Sequence, residues 1–147
     1  MPGIFGIVAA SNRSREALGR DSQAMVEALR HRNSYHVRVQ LCDGVVMGRI
    51  GPSFLNPEEQ PVKNEDGVLL IVFDGELFEP QPARRTLELE GHAFRGDADS
   101  EIVLHAFEQS GISGIAALPG AYAGFIWNSR TNQYHLFPVQ ILYLKPL

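Results

Sequence analysis

The sequence predicts an α+β domain built on antiparallel strands. Three observations carry this. Runs of period-two alternation flank Asp43-Gly44, a near-continuous apolar run spans Val68 to Phe73, and two helical segments lie between antiparallel hairpins. Strands of the second kind sit centrally in their sheet, covered on both faces.

The elements follow in order. Ile4 to Ala10 reads as a buried-type strand, and Ser11-Asn12-Arg13-Ser14-Arg15 as a polar loop. Asp21 or Ser22 is expected to cap a helix with Met25, Val26 and Leu29 as its apolar positions, ended by His31-Arg32-Asn33-Ser34. His36 to Leu41 alternates, turns at Asp43-Gly44 and returns as Val45 to Ile50. The stretch from Gly51 to Pro61 is proline-rich and aperiodic, hence a loop, and Asp66-Gly67 is a second turn. After the Val68–Phe73 strand, helical signal covers Ala83 to Leu89, stopped by Gly91. It returns over Ser100 to Phe107, with Asp97 or Asp99 as cap. Leu118-Pro119-Gly120 breaks the chain. Ala121 to Trp127 and Gln133 to Phe137 then form a last hairpin about Asn128 to Asn132.

Composition bounds the function. The chain has 147 residues, about one domain, with 44% hydrophobic residues for a core. Its net charge is −4, from 13 basic and 17 acidic residues, and no basic stripe invites nucleic acid. No apolar run is long enough to span a membrane, and no secretory signal is expected at the start. Cys42, the one cysteine, fits a reducing, cytoplasmic setting and excludes an internal disulfide.

Motifs in sequence order then point to a family. They are Pro2-Gly3-Ile4-Phe5-Gly6, His31-Arg32, Gln60-Pro61 with Asn64 and Asp66-Gly67, Phe73-Asp74-Gly75-Glu76-Leu77-Phe78, Asp99-Ser100-Glu101, Gly120 to Asn128 and Lys145-Pro146-Leu147. Together they resemble the class II glutamine amidotransferase domain of asparagine synthetase type, over essentially the whole chain. The resemblance implies one domain over residues 1–147 with the αββα four-layer sandwich of N-terminal nucleophile hydrolases, with fewer strands than the family. It also implies that the ATP-dependent synthetase domain of such proteins lies outside this chain.

The family opens with a nucleophilic cysteine, which attacks the glutamine amide while its own α-amine takes the proton. Pro2 stands at that position and has no thiol or hydroxyl. The family holds the developing negative charge with an asparagine amide and a glycine N–H. Here Asp74 and Gly75 stand at these oxyanion-hole positions, and an ionised carboxylate has no hydrogen to donate. The substrate clamp carries over as Arg49 for the α-carboxylate, and Glu76 and Asp99 for the α-amine. Arg49 lies eleven residues before Gln60, the family separation. Read without the family, Arg49 is a solvated strand end and Asp99 a helix cap.

The expectation is a degenerate glutaminase-like domain that does not hydrolyse glutamine and acts as a structural or amino-acid-binding module. Glutamine or a related amino acid, and an ATP-dependent synthetase domain or subunit, are its candidate partners. One alternative is an active amidotransferase using an unusual nucleophile such as Cys42, although that thiol is expected half-exposed at a hairpin tip. Another is an N-terminal proline tautomerase-like enzyme, which would require removal of Met1. A third is that Pro2 is an introduced substitution silencing a working site. No cofactor is expected. Gly111-Ile112-Ser113-Gly114 lacks the lysine of a phosphate loop. No metal is expected either, because His31 and His36 merely flank a loop and His92, His105 and His135 are scattered along the chain.

Overall fold

A computed structural model describes residues 3–9 and 12–138. Pro2, Ala10, Ser11 and the run from 139 to 147, which contains Lys145-Pro146-Leu147, lie outside the described residues. The order is β1 (Gly3–Val8), α1 (Arg15–Leu29), β2 (His36–Cys42), β3 (Val45–Gly51), β4 (Val62–Lys63), β5 (Leu69–Leu77), α2 (Gln81–Leu89), α3 (Asp99–Ser110), α4 (Ile112–Ala116), β6 (Gly120–Asn128) and β7 (Gln133–Phe137). Among the described residues the strands form two antiparallel sheets, ordered β1-β3-β2 and β4-β5-β6-β7.

Period-two alternation sorts the side chains of the central strands into layers. On β3, Val46 and Ile50 face α1, packing with Phe5, Leu18 and Val26. Val45 and Met47 point the other way and meet Leu70, Val72, Phe125 and Trp127 of the second sheet. On the far face of that sheet Ile71, Phe73, Tyr122 and Ile126 pack against Ile102, Val103 and Leu104 of α3, with Leu87 of α2 and Ile115 of α4. The layers therefore run helix, sheet, sheet, helices, which is the expected four-layer α+β sandwich. Met47, Ile71, Val72, Phe73 and Ile126 are fully buried. No helix among the described residues is long and apolar enough to cross a membrane.

Several boundaries differ from the sequence expectation. Helix α1 starts at Arg15, not after Asp21, because the Ser14 hydroxyl accepts the Ala17 N–H and caps a polar first turn. Met25, expected in its apolar face, is exposed, while Leu18 and Val26 are buried. Asp99 does not cap α3. Ala98 holds the cap position without a side-chain bond, and the Asp99 carboxylate turns to the Leu77 N–H at 2.7 Å. Asp97 instead pairs with Arg84 at 3.0 Å. Strand β5 continues through Asp74-Gly75-Glu76, and the short β4 and α4 carry too few residues for a periodic signal.

The residues of the Gln60–Gly67 motif act as backbone caps. Gln60 Oε1 accepts the Phe73 N–H at 2.7 Å, and Asn64 Oδ1 accepts the Leu69 N–H at 3.0 Å. Both side chains are buried, so these bonds satisfy main-chain donors that water cannot reach.

Candidate functional site

The same alternation that builds the core aims two charges at each other. Arg49 follows Val45 and Met47 on the inter-sheet face of β3, and Asp74 follows Leu70 and Val72 on the facing side of β5. Arg49 is only 4% exposed, and its Nη2 donates to Asp74 Oδ1 at 3.0 Å. The same nitrogen reaches the Leu55 carbonyl at 2.7 Å and Asn56 Oδ1 at 3.5 Å. Ile4 of β1 pairs with Arg49, so the start of β1 lies at this end of the sheet.

Asn56 closes the site from the proline-rich loop. Its Oδ1 accepts the Gly75 N–H at 3.1 Å and its Nδ2 donates to the Gly75 carbonyl at 3.0 Å. Both backbone groups of Gly75 are thus taken by one amide. Asn56 sits at φ 49°, a left-handed backbone that asparagine tolerates better than most residues. Beside Arg49 lies a cavity of about 20 Å³, lined by His36, Arg38, Asn56, Glu58 and Gln60. That is room for roughly one water, far below the ~300–1,000 Å³ of ordinary small-molecule pockets. The Arg49 Nε, buried here, has no hydrogen-bond partner among the described residues.

A group of carboxylates completes the site. Glu58 Oε1 accepts from the Ser100 hydroxyl at 2.6 Å and from Gln60 Nε2 at 3.2 Å. Asp99 is half-buried, and burial together with Glu58 and Glu76 pushes its carboxyl up. Burial also pushes the Asp74 carboxyl up, and the Arg49 guanidinium offsets this only in part. A carboxyl held above its unfolded value contributes most to folding below that value, where both states are protonated. The contribution is lost as pH rises through the folded value. Asp99→Asn keeps an acceptor for the Leu77 N–H and removes the charge. It should therefore be relatively more stabilising at about pH 7 than at about pH 3. Urea unfolding of both proteins across that range checks this; a constant difference would show that Asp99 is not perturbed.

The structure thus brings Arg49, Asp74, Gly75, Glu76 and Asp99 to one end of the sandwich, with Glu76 exposed. It corrects the reading of Arg49 as a solvated strand end: the residue is buried and paired. Asn56 and Glu58 were missed by the motif reading, and Ser100 stood in a motif without a role of its own; an Asn-Pro step inside a proline-rich loop was the available signal for Asn56. Cys42 lies elsewhere. Arg38 of β2 pairs with Arg49, and Cys42 is four residues further along that strand, about 14 Å away. Cys42 packs against the inter-sheet core, and burial raises its thiol above the ordinary value, which lowers its thiolate fraction.

The glutamine amidotransferase domain family matches residues 1–141. Asparagine synthetase [glutamine-hydrolyzing] 2 of Bacillus subtilis is 27% identical over 141 residues, covering 92% of this chain and 18% of its own. A probable asparagine synthetase [glutamine-hydrolyzing] of Dictyostelium discoideum is 28% identical over 136 residues, covering 89% of this chain and 24% of its own. The chain therefore spans about a fifth to a quarter of the length of these relatives. A solved structure of glutamine phosphoribosylpyrophosphate amidotransferase from B. subtilis covers 60% of this chain and 22% of its own at 22% identity, with a TM-score of 0.49. The fold assignment rests on the layers described above.

Proposed function

The chain belongs to the glutamine amidotransferase domain family, and from that membership we propose that it is a non-hydrolysing member, a structural module whose amino-acid pocket is closed on itself. The observation that carries this reading is the 3.0 Å pair between Arg49 and Asp74. It joins the position that would grip a substrate carboxylate to the position that would steady the oxyanion, so each occupies the other.

Three features work against turnover. Pro2 offers no attacking atom. Asp74 accepts hydrogen bonds where a donor is needed, and repels developing negative charge. The Gly75 N–H is already bonded to Asn56. Losing a single oxyanion donor costs roughly 10²–10³ in rate, and here both positions are compromised. Cys42, at the far end of β2, is too distant to stand in.

The proposed partner of this module is a synthetase domain or subunit of the asparagine synthetase type, and its proposed setting the cytoplasm; the support for the partner is the similarity to asparagine synthetases that are about four to five times longer than this chain. A second reading keeps ligand binding: Glu58, Glu76 and Asp99 form an acidic edge suited to an amine.

Ammonia release from glutamine tests the main reading. No release above the buffer rate is expected from the purified chain. A turnover of about 1 s⁻¹, ordinary for enzymes, would overturn it.

A further inference from the structure

Away from the Arg49–Asp74 site, four side chains from three segments converge. Glu65 comes from the turn between β4 and β5, His92 from the loop after α2, and His105 and Glu108 from one face of α3. The scatter of His92 and His105 along the sequence does not carry into space: their rings lie 4.8 Å apart. We propose that these residues form a binding site for one divalent cation of the zinc class, a staple that ties the β4–β5 turn and the α2–α3 loop to α3.

The donor spacing fits such an ion. His105 Nδ1 lies 3.3 Å from Glu108 Oε2 and 3.7 Å from Glu65 Oε2. His92 Nδ1 lies 3.6 Å from Glu108 Oε2 and 3.9 Å from Glu65 Oε1. Zinc bonds of ~2.0–2.2 Å place tetrahedral ligands about 3.3–3.5 Å apart. These four separations need to close by at most about half an ångström, and the widest in the set, within 4.8 Å, by about 1.3 Å, which side-chain rotation of the exposed Glu65 can supply. Two carboxylates and two neutral imidazoles also balance a 2+ charge, and this mix of nitrogen and oxygen ligands suits zinc.

The surrounding bonds orient the ligands. His92 Nε2 donates to Gln109 Oε1 at 3.1 Å, which leaves Nδ1, the nitrogen that faces both carboxylates, as the atom to ligate an ion. Glu108 Oε1 accepts from Asn64 Nδ2 at 2.8 Å, and Glu65 Oε1 accepts the Ala93 N–H at 2.9 Å. Supporting bonds of this kind are what hold metal ligands in place. His105 is 3% exposed and fixed by an edge contact with Phe94, whereas the Glu65 side chain is 41% exposed, so the ion enters from that side.

Titrating the full chain with Zn²⁺ in a calorimeter is the test, with Co²⁺ as a spectroscopic probe. The expected result is one ion per chain, with strong visible Co²⁺ bands of a tetrahedral site. The melting temperature should rise by about 5–10 °C at a free ion concentration of ~100 times Kd. Glu65→Gln sits at the surface and keeps an acceptor for Ala93, so it should fold; it should weaken binding at least about tenfold. His92→Gln should do the same. No saturable binding, a weak octahedral Co²⁺ spectrum, or unchanged affinity in both variants would overturn the proposal.

Discussion

Arg49→Ala is expected to lower the stability of the fold by about 3–5 kcal/mol, because it leaves the Asp74 carboxylate between two sheets without its counter-charge. Asp74 is 17% exposed at its side chain, too little for water to replace the guanidinium fully. The Leu55 carbonyl loses its donor in the same step. For a chain of this size the melting temperature should fall by roughly 6–20 °C. Arg49→Met combined with Asp74→Leu removes both charges at similar volume and should restore most of that loss, since burying an ion pair gains little over apolar packing. Urea denaturation of the three proteins reads the effect. A loss below about 1 kcal/mol in Arg49→Ala would mean that the pair is solvated, as surface ion pairs are.

Gly75→Ala is expected to cost about 2–6 kcal/mol. Gly75 sits at φ 127°, a backbone that L side chains rarely adopt, and such strain costs ~1–3 kcal/mol. An added Cβ would also lie 2.2 Å from the Ala121 carbonyl oxygen and 2.6 Å from Tyr122 Cα. Those atoms belong to the backbone of β6, paired with β5, and cannot rotate away, so overpacking adds ~1–3 kcal/mol. Gly67→Ala is the control. Its φ is 72° but nothing lies within 4 Å of an added Cβ, so its cost should stay near 1–2 kcal/mol. Equal unfolding midpoints for the two variants would show that β5 and β6 can part at Gly75 without penalty.

The local part of this fold was legible in the sequence. The hairpins about Asp43-Gly44 and residues 128–132, and the apolar run into Phe73, depend on neighbouring residues alone. The start of α1 was not, because its first turn is polar and is held by one serine cap. Arg49 and Asp74 were singled out only through family motifs, and the resemblance implies separate roles for them. That they bond to each other follows from how the two sheets stack, which brings residues 25 apart in the chain to 3.0 Å. The Asn56 bridge to Gly75 and the convergence of His92 with His105 are long-range for the same reason. Asp99 carried both a capping and a binding signal; the structure does not use it as the cap of α3, and its carboxylate holds the end of β5 through the Leu77 N–H.

A calorimetric titration of glutamine into the wild type and Asp74→Asn tests most directly whether the Arg49–Asp74 pair closes the pocket. An asparagine amide carries no charge, so it frees Arg49 for a substrate carboxylate and returns a donor to the oxyanion position. The wild type should bind glutamine more weakly than about 1 mM Kd, and Asp74→Asn should bind it at least about tenfold more tightly, losing that gain when Arg49→Ala is added. Any residual wild-type binding should favour glutamine over glutamate, whose side-chain carboxylate would meet Asp74. Wild-type binding as tight as that of Asp74→Asn would contradict the closed pocket and return Arg49 to the role of a working clamp.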